Sequence, residues 1–209
     1  MNSQNNEEQI ILDHFGPDFR GILLDIGAND GTTLSNSYAC MMRGWAGVFV
    51  EPSPEAFARL RRLHELHSEW WALDINAAIT PQDGRYVLHQ SGEHLKTGDT
   101  ALLSSVIEGE TKQWERTGHT FEAVEVDGIT VATMLDKLKG KGVERFDLVS
   151  IDAEGMDYDI LKELDLTALG VQMVIVEHNG SNHLGMHSHA AAHGMKLHAK
   201  NFQNLVFTR

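Results

Sequence analysis

Short continuous apolar runs recur along this chain, separated by segments whose apolar positions fall three and four residues apart. The first pattern marks strands buried on both faces, the second amphipathic helices. Glu7 to Phe15 reads as a short helix with Ile10, Ile11 and Phe15 on one side, stopped by Gly16-Pro17. Residues 21–25 read as a buried strand, 32–43 as a helix closed by Gly44, and 46–51 as a second strand. Ser53 and Pro54 open the next helix as N-cap and first helical residue, and Phe57, Leu60 and Leu63 continue it. Residues 70–73 read as a third strand, Tyr86 to His89 as strand-like, and Phe121 to Val126 as a half-buried alternating strand. Between the last two, residues 90–119 are polar, dotted with Gly and without a period, which makes them a candidate substrate lid. Val131 to Leu138 is helical, 146–151 a strand, 157–164 a helix and 171–176 an apolar strand. A helix over 183–193 precedes a final strand pair, 195–199 and 205–208, joined through Asn201 to Asn204.

Strands alternating with helices predict a mainly parallel sheet covered on both faces. The terminal pair adds an antiparallel strand at the sheet edge or in its interior. No linker or repeat divides the chain, so residues 1–209 are expected to form one domain, with 1–6 frayed.

Composition narrows the partners. Lys and Arg total 17 against 30 Asp and Glu, a formal charge of −13. Nucleic acid and anionic membranes are disfavoured, because no basic excess exists to displace counterions. Cys40 is the single cysteine, which fits a reducing compartment. The N-terminal residues resemble no signal peptide and no apolar run spans a bilayer, so a cytoplasmic location is expected. Oligomeric state is not readable.

The most informative stretch is Asp25-Ile26-Gly27-Ala28-Asn29-Asp30-Gly31, with Glu51 twenty residues after Gly31 at the end of the next strand. Strand, turn, helix, strand and acid is how an α/β protein holds a nucleoside, the acid taking the ribose hydroxyls. Asn29 and Thr32 stand where a dinucleotide motif has glycines, and Asp30 would set a charge against a pyrophosphate. NAD and FAD are therefore disfavoured. S-adenosyl-L-methionine (SAM), a nucleoside without phosphate, fits better.

Two further strands end in acids. Phe146 to Ile151 runs into Asp152, Glu154, Gly155 and Asp157, and Val174 to Val176 into Glu177, His178 and Asn179. Ligands of parallel sheets bind beyond the carboxyl ends of strands, so Asp152 and Glu177 should share a crevice with Asp25 and Glu51. Several carboxylates in one crevice suit a cation such as a sulfonium. His178 is the first choice of general base and Asp152 or Glu154 the second. Asp157 reads more simply as a helix-start acid. Six of the 12 histidines lie between 178 and 198. His183 and His187, and His189 and His193, fall four apart and could share Zn²⁺. A solvated histidine-rich helix is the plainer reading.

Together these stretches resemble the FkbM family of SAM-dependent methyltransferases. The resemblance rests on Asp25 to Gly31, Val50 to Pro54, Asn76 to Ile79, Val126 to Asp136, Ile151 to Gly155, Val176-Glu177 and Asn204 to Phe207. It implies a class I, Rossmann-like α/β fold: a seven-stranded, mostly parallel sheet with an antiparallel last strand. It places Asp25, Gly27, Ala28, Asn29 and Gly31 around the methionine part of SAM. Glu51 falls on the ribose beside Pro52 and Ser53, Asp74, Asn76 and Ala77 near the adenine, and Asp152 at the methyl-transfer crevice. Ser150 departs from the family, whose members usually carry Lys there. The strand ends are also similar to those of cation-dependent catechol-type O-methyltransferases, where Asp152, Glu177 and Asn179 would hold a divalent cation. The Ala153-Glu154-Gly155 continuation fits FkbM better, so no metal ligand is assigned and the cation is left open.

The expectation is a SAM-dependent methyltransferase acting on a hydroxyl oxygen of a sugar, glycan or small metabolite. N-methylation and metal-assisted O-methylation are rivals among enzymes. A non-catalytic SAM-binding module is the rival of another class.

Overall fold

A computed structural model describes residues 3–91, 102–116, 118–178 and 182–209. Its main sheet has seven strands: β1 (Ile22–Ile26), β2 (Ala46–Val50), β3 (Ala72–Ile75), β7 (Leu148–Ile151), β8 (Met173–Glu177), β9 (Lys196–Lys200) and β10 (Asn204–Thr208). They are ordered β3-β2-β1-β7-β8-β10-β9. Neighbours from β3 to β8 pair in parallel, while β10 runs antiparallel to β8 and β9 on either side. The expected antiparallel last strand is thus inserted one place in from the edge. The helices are α1 (Glu7–Phe15), α2 (Tyr38–Met41), α3 (Pro54–Leu66), α4 (Glu108–Glu115), α5 (Val131–Lys139), α6 (Asp157–Glu163) and α7 (His183–Ala192).

Side chains alternate across each strand, so a continuous apolar run feeds two cores. Leu24, Val48, Val149, Val174 and Val176 pack into one cluster with Met134, Ile160 and Met186 of α5, α6 and α7. Leu23, Phe49, Leu148 and Ile175 pack into the other with Ile11 of α1 and Leu60 of α3. Consecutive residues such as Leu23 and Leu24 therefore bury on opposite faces.

Several elements differ from the sequence reading, β7 and β8 among them by starting two residues late. The helix expected over 32–43 shrinks to α2, because local side chains satisfy the backbone first. The Asp30 carboxylate accepts from the N–H and hydroxyl of both Thr32 and Thr33, and Ser35 Oγ accepts from the N–H of Ser37 and Tyr38. The third strand starts at Ala72, two residues late, since Trp70 is held by stacking on His67 with centroids 4.1 Å apart. The segment after β3 builds a second sheet from β4 (Ala78–Ile79), β5 (Gly84–Ser91) and β6 (Phe121–Ile129), ordered β4-β6-β5. α4 falls inside the segment read as patternless. Much of the proposed lid, residues 92–101, lies outside the described residues.

Candidate active site

The chain crosses from β3 back to β7, so β1 has β2 on one side and β7 on the other. This is the switch point of the sheet, where a crevice opens beyond the strand ends. The turn after β1 enters it. Gly27 and Ala28 both donate their N–H to the Val50 carbonyl, at 2.9 and 3.1 Å. Asn29 follows in the left-handed region, φ 49°.

Glu51 ends β2 in the same crevice. Its Oε2 accepts the Asn29 N–H at 2.8 Å and its Oε1 the Ser53 N–H at 2.7 Å. Burial nevertheless pushes its pKa up to about 7, against those two bonds. Asn76 donates its side-chain amide to the carbonyls of Glu51 and Pro52, at 2.8 and 3.2 Å. Ser53 caps α3 by accepting the Ala56 N–H, and its hydroxyl donates to Gln90 Oε1 at 2.7 Å. A cavity lined by Gly27, Asn29, Glu51, Ala77, Leu88 and Asp152 lies over this frame. Asn29 Oδ1 is buried and, among the described residues, has no hydrogen-bond partner. A buried amide oxygen left so is costly unless a ligand donates to it.

Beyond Asp152 and Glu154, which line both spaces, a second crevice of about 660 Å³ opens. Its walls carry Glu110, Asp157 and Glu177 besides those two acids, with Leu34, Trp114, Tyr158 and Phe202 between them and His178 at one side. Asp157 accepts the Ala153 and Gly155 N–H groups at 2.8 and 3.1 Å, and this turn holds Glu154 at φ 43°. Asp152 and Glu177 hydrogen-bond through their carboxyls. Burial raises Glu177 strongly, and the Asp152 charge adds to it. Asp152 is solvent-exposed and lines both spaces, with the acids of the crevice crowding its carboxyl. Enclosure by protein, then the Asp157 charge, pushes its pKa to about 7. Glu154 is raised well above the usual carboxylate range, mainly by burial.

His178 lines the crevice, yet both ring nitrogens are engaged. Nε2 lies 3.4 Å from the Asn201 carbonyl, and Nδ1 lies 2.9 Å from His183 Nε2, whose Nδ1 is 3.2 Å from Lys200 Nζ. A carbonyl only accepts and an ammonium only donates, so the row runs one way: Lys200 to His183, His183 to His178, His178 to Asn201. His178 then has no lone pair facing an acceptor, whereas Asp152 does. The other histidines go elsewhere: His189 Nε2 donates to the Leu164 carbonyl, His193 pairs with Thr167, and His187 packs edge-on against Phe207. Among the described residues the one group of side chains converging closely enough for a cation is Asp152, Asp157 and Glu177. Asn179 lies outside the described residues.

Several residues expected around the cofactor also hold the frame. Asp25 is buried behind the turn, accepting the Ser37 hydroxyl at 2.6 Å, and burial raises it to about 6. Ser150, across from it on β7, accepts the Asn36 amide at 3.2 Å. Ala28 packs in the core, and Gly31 lies under Leu60 and Leu63. Asp74 turns to α3, 2.8 Å from His64 Nδ1. Sequence reasoning missed Glu110 and Trp114 of α4, and also Gln4, which lines the crevice from the segment read as frayed.

The strand order, with one antiparallel strand inserted before the last, and the crevice beyond β1 and β7 define a class I methyltransferase fold. The chain belongs to the methyltransferase FkbM domain family, whose model matches residues 25–202. Among solved structures, methyltransferase FkbM from Methylobacillus flagellatus KT is 9% identical with a TM-score of 0.56 over 91% of this chain and 44% of that one. The chain thus spans less than half of that protein. A hypothetical protein of Thermus thermophilus is 15% identical, TM-score 0.54, covering 99% and 86%. A putative methyltransferase from Escherichia coli is 10% identical, TM-score 0.51, covering 100% and 88%. No curated protein matches the chain. No helix among the described residues is long and apolar enough to cross a membrane.

Proposed function

We propose that the chain transfers a methyl group from SAM to a hydroxyl oxygen of a sugar, glycan or small metabolite. The observation that carries this is the unpartnered, buried Asn29 Oδ1 beside the Glu51 carboxylate, in a cavity that meets a larger crevice at Asp152. Glu51 oxygens each accept one N–H and keep a lone pair for a ribose hydroxyl. Asn29 Oδ1 takes a donor from the same ligand. Bound SAM supplies an electrophilic methyl on a sulfonium. The protein aligns the acceptor oxygen with that methyl, removes its proton and excludes water. Asp152, open to the crevice and buffered near neutral pH, is the base; Glu177 steadies it by donating a hydrogen bond.

Calorimetry with SAM and S-adenosylhomocysteine tests the shared claim, and absence of binding by both would sink it. Glu51→Gln is expected to weaken S-adenosylhomocysteine binding by about tenfold or more, since its NH₂ must face the N–H of Asn29 or Ser53 and one acceptor is lost. Full affinity in that variant would free Glu51 of its ribose role. Methyl transfer to an added acceptor separates an enzyme from a binding module. The Asp152, Asp157 and Glu177 group supports a second, metal-assisted reading, which loss of turnover on chelation and its recovery with Mg²⁺ would favour.

A further inference from the structure

The turn between β9 and β10 has no part in the chemistry above, yet it forms one wall of the crevice. Phe202 at its tip is 89% exposed and faces that space. One exposed Phe is ordinary by itself. What sets this one apart is how firmly its turn is held. Within the turn the Asn201 N–H donates to the Asn204 carbonyl at 3.0 Å, and Asn201 Oδ1 accepts the N–H of Gln203 and Asn204 at 3.0 and 2.6 Å. On the crevice side the His178 N–H donates to the Gln203 carbonyl at 2.8 Å.

From the other side comes Glu7 of α1, fully buried. Its Oε1 accepts both Asn201 Nδ2 and Asn204 Nδ2, at 2.7 and 2.8 Å. Its Oε2 accepts the Asn5 N–H at 2.8 Å, and Asn5 Nδ2 donates to Gln203 Oε1 at 3.2 Å. Burying a carboxylate among neutral amides is costly unless its lone pairs are filled, and here they are filled almost wholly by this turn and its neighbour. Such a clamp matters where a side chain on the turn must hold a fixed position. Across the crevice from the ring stand carboxylates suited to hydroxyl donors.

We infer that Glu7 is a positioning residue which, through the Asn201 to Asn204 turn, holds Phe202 as a flat apolar platform for the ring of the acceptor. The acceptor class this selects is a hydroxylated ring with one apolar face, a pyranose or an aromatic, in preference to an open-chain alcohol. The inference rests on reading the crevice as the acceptor site.

The test measures methyl transfer from radiolabelled SAM to methyl β-glucoside, glucosamine and catechol, with S-adenosylhomocysteine binding followed by calorimetry. Phe202→Ala is expected to raise KM for whichever of these the wild type methylates by about five- to tenfold, with a smaller change in kcat. Glu7→Ala should raise KM in the same direction, and Glu7→Gln should restore most of it, because its amide oxygen still accepts both Asn donors. The Glu7→Ala/Phe202→Ala double variant should be no worse in KM than Phe202→Ala, since Glu7 acts through the ring. If Glu7→Ala does not fold, Asn201→Ala takes its place in the same comparison. An unchanged KM in Phe202→Ala, or additive effects in the double variant, overturns the inference while the methyltransferase reading stands. A wild type that binds no S-adenosylhomocysteine, or methylates none of the three, removes that reading and this inference with it.

Discussion

Asp152→Asn will lower the rate of methyl transfer by about 10²- to 10⁴-fold, the usual contribution of a positioned general base. S-adenosylhomocysteine binding should change less than turnover, because Asp152 lines the cofactor cavity but Asn29 and Glu51, its proposed polar contacts, are left intact. The substitution is nearly isosteric and keeps a partner for Glu177, so the loss is chemical and not a collapse of the site. The pH profile gives an independent check. Enclosure and the surrounding acids hold Asp152 at about 7, and a base works only when deprotonated. In the wild type kcat/KM should therefore climb as pH rises through about 7 and level off above it. Because Glu51 is also raised to about 7, the comparison is read on kcat at saturating SAM, where the inflection should vanish in Asp152→Asn. A wild-type profile flat across that range, or an Asn variant with near-normal turnover, would return the search to Glu154.

The proposal of Asp152 over His178 as base draws on contacts that sequence reading does not reach. Both residues end apolar strands, and pKa habit alone prefers the histidine. Only the three-dimensional row from Lys200 through His183 to Asn201 shows that the imidazole is already spoken for. His183 and Lys200 come from α7 and β9, and nothing local in Glu177-His178 announces them. The sheet was far more legible. Runs such as Val174 to Val176 have to be buried on both faces, and their spacing with the helices dictates a parallel sheet. The stretch from Thr32 to Ser37 is illegible to pattern because its apolar spacing is weak and its Ser and Thr side chains, with Asp30, compete for the backbone. β5 and β6 were legible as strands from Tyr86 to His89 and Phe121 to Val126, but α4 lies in the polar, periodless segment between them, where no apolar stripe marks a helix. Asn5 and Glu7 join the crevice wall through contacts almost two hundred residues away in sequence, which no periodicity reports.

Gly27→Ala should destabilise the protein by at least about 3 kcal/mol, read as a fall in the unfolding midpoint without ligand. The glycine sits at φ 86°, a region an L-residue reaches only with strain. A Cβ there would also overlap the Asp152 carbonyl oxygen, which is backbone and cannot rotate away. Relief requires the ends of β1 and β7 to part, although Asp152 N–H is tied to the Ile26 carbonyl at 2.9 Å. The sequence alone assigns this glycine to close approach of a ligand; the structure gives it a second duty, letting two strand ends meet so that Asp152 reaches the crevice. The two duties separate by measurement. If contact with the neighbouring strand dominates, the Ala variant loses stability in the absence of any ligand and loses S-adenosylhomocysteine binding along with it. If ligand approach dominates, unfolding stays within about 0.5 kcal/mol of wild type, the range of a neutral substitution, and only the affinity falls. The crowding at Asp152 favours the first outcome.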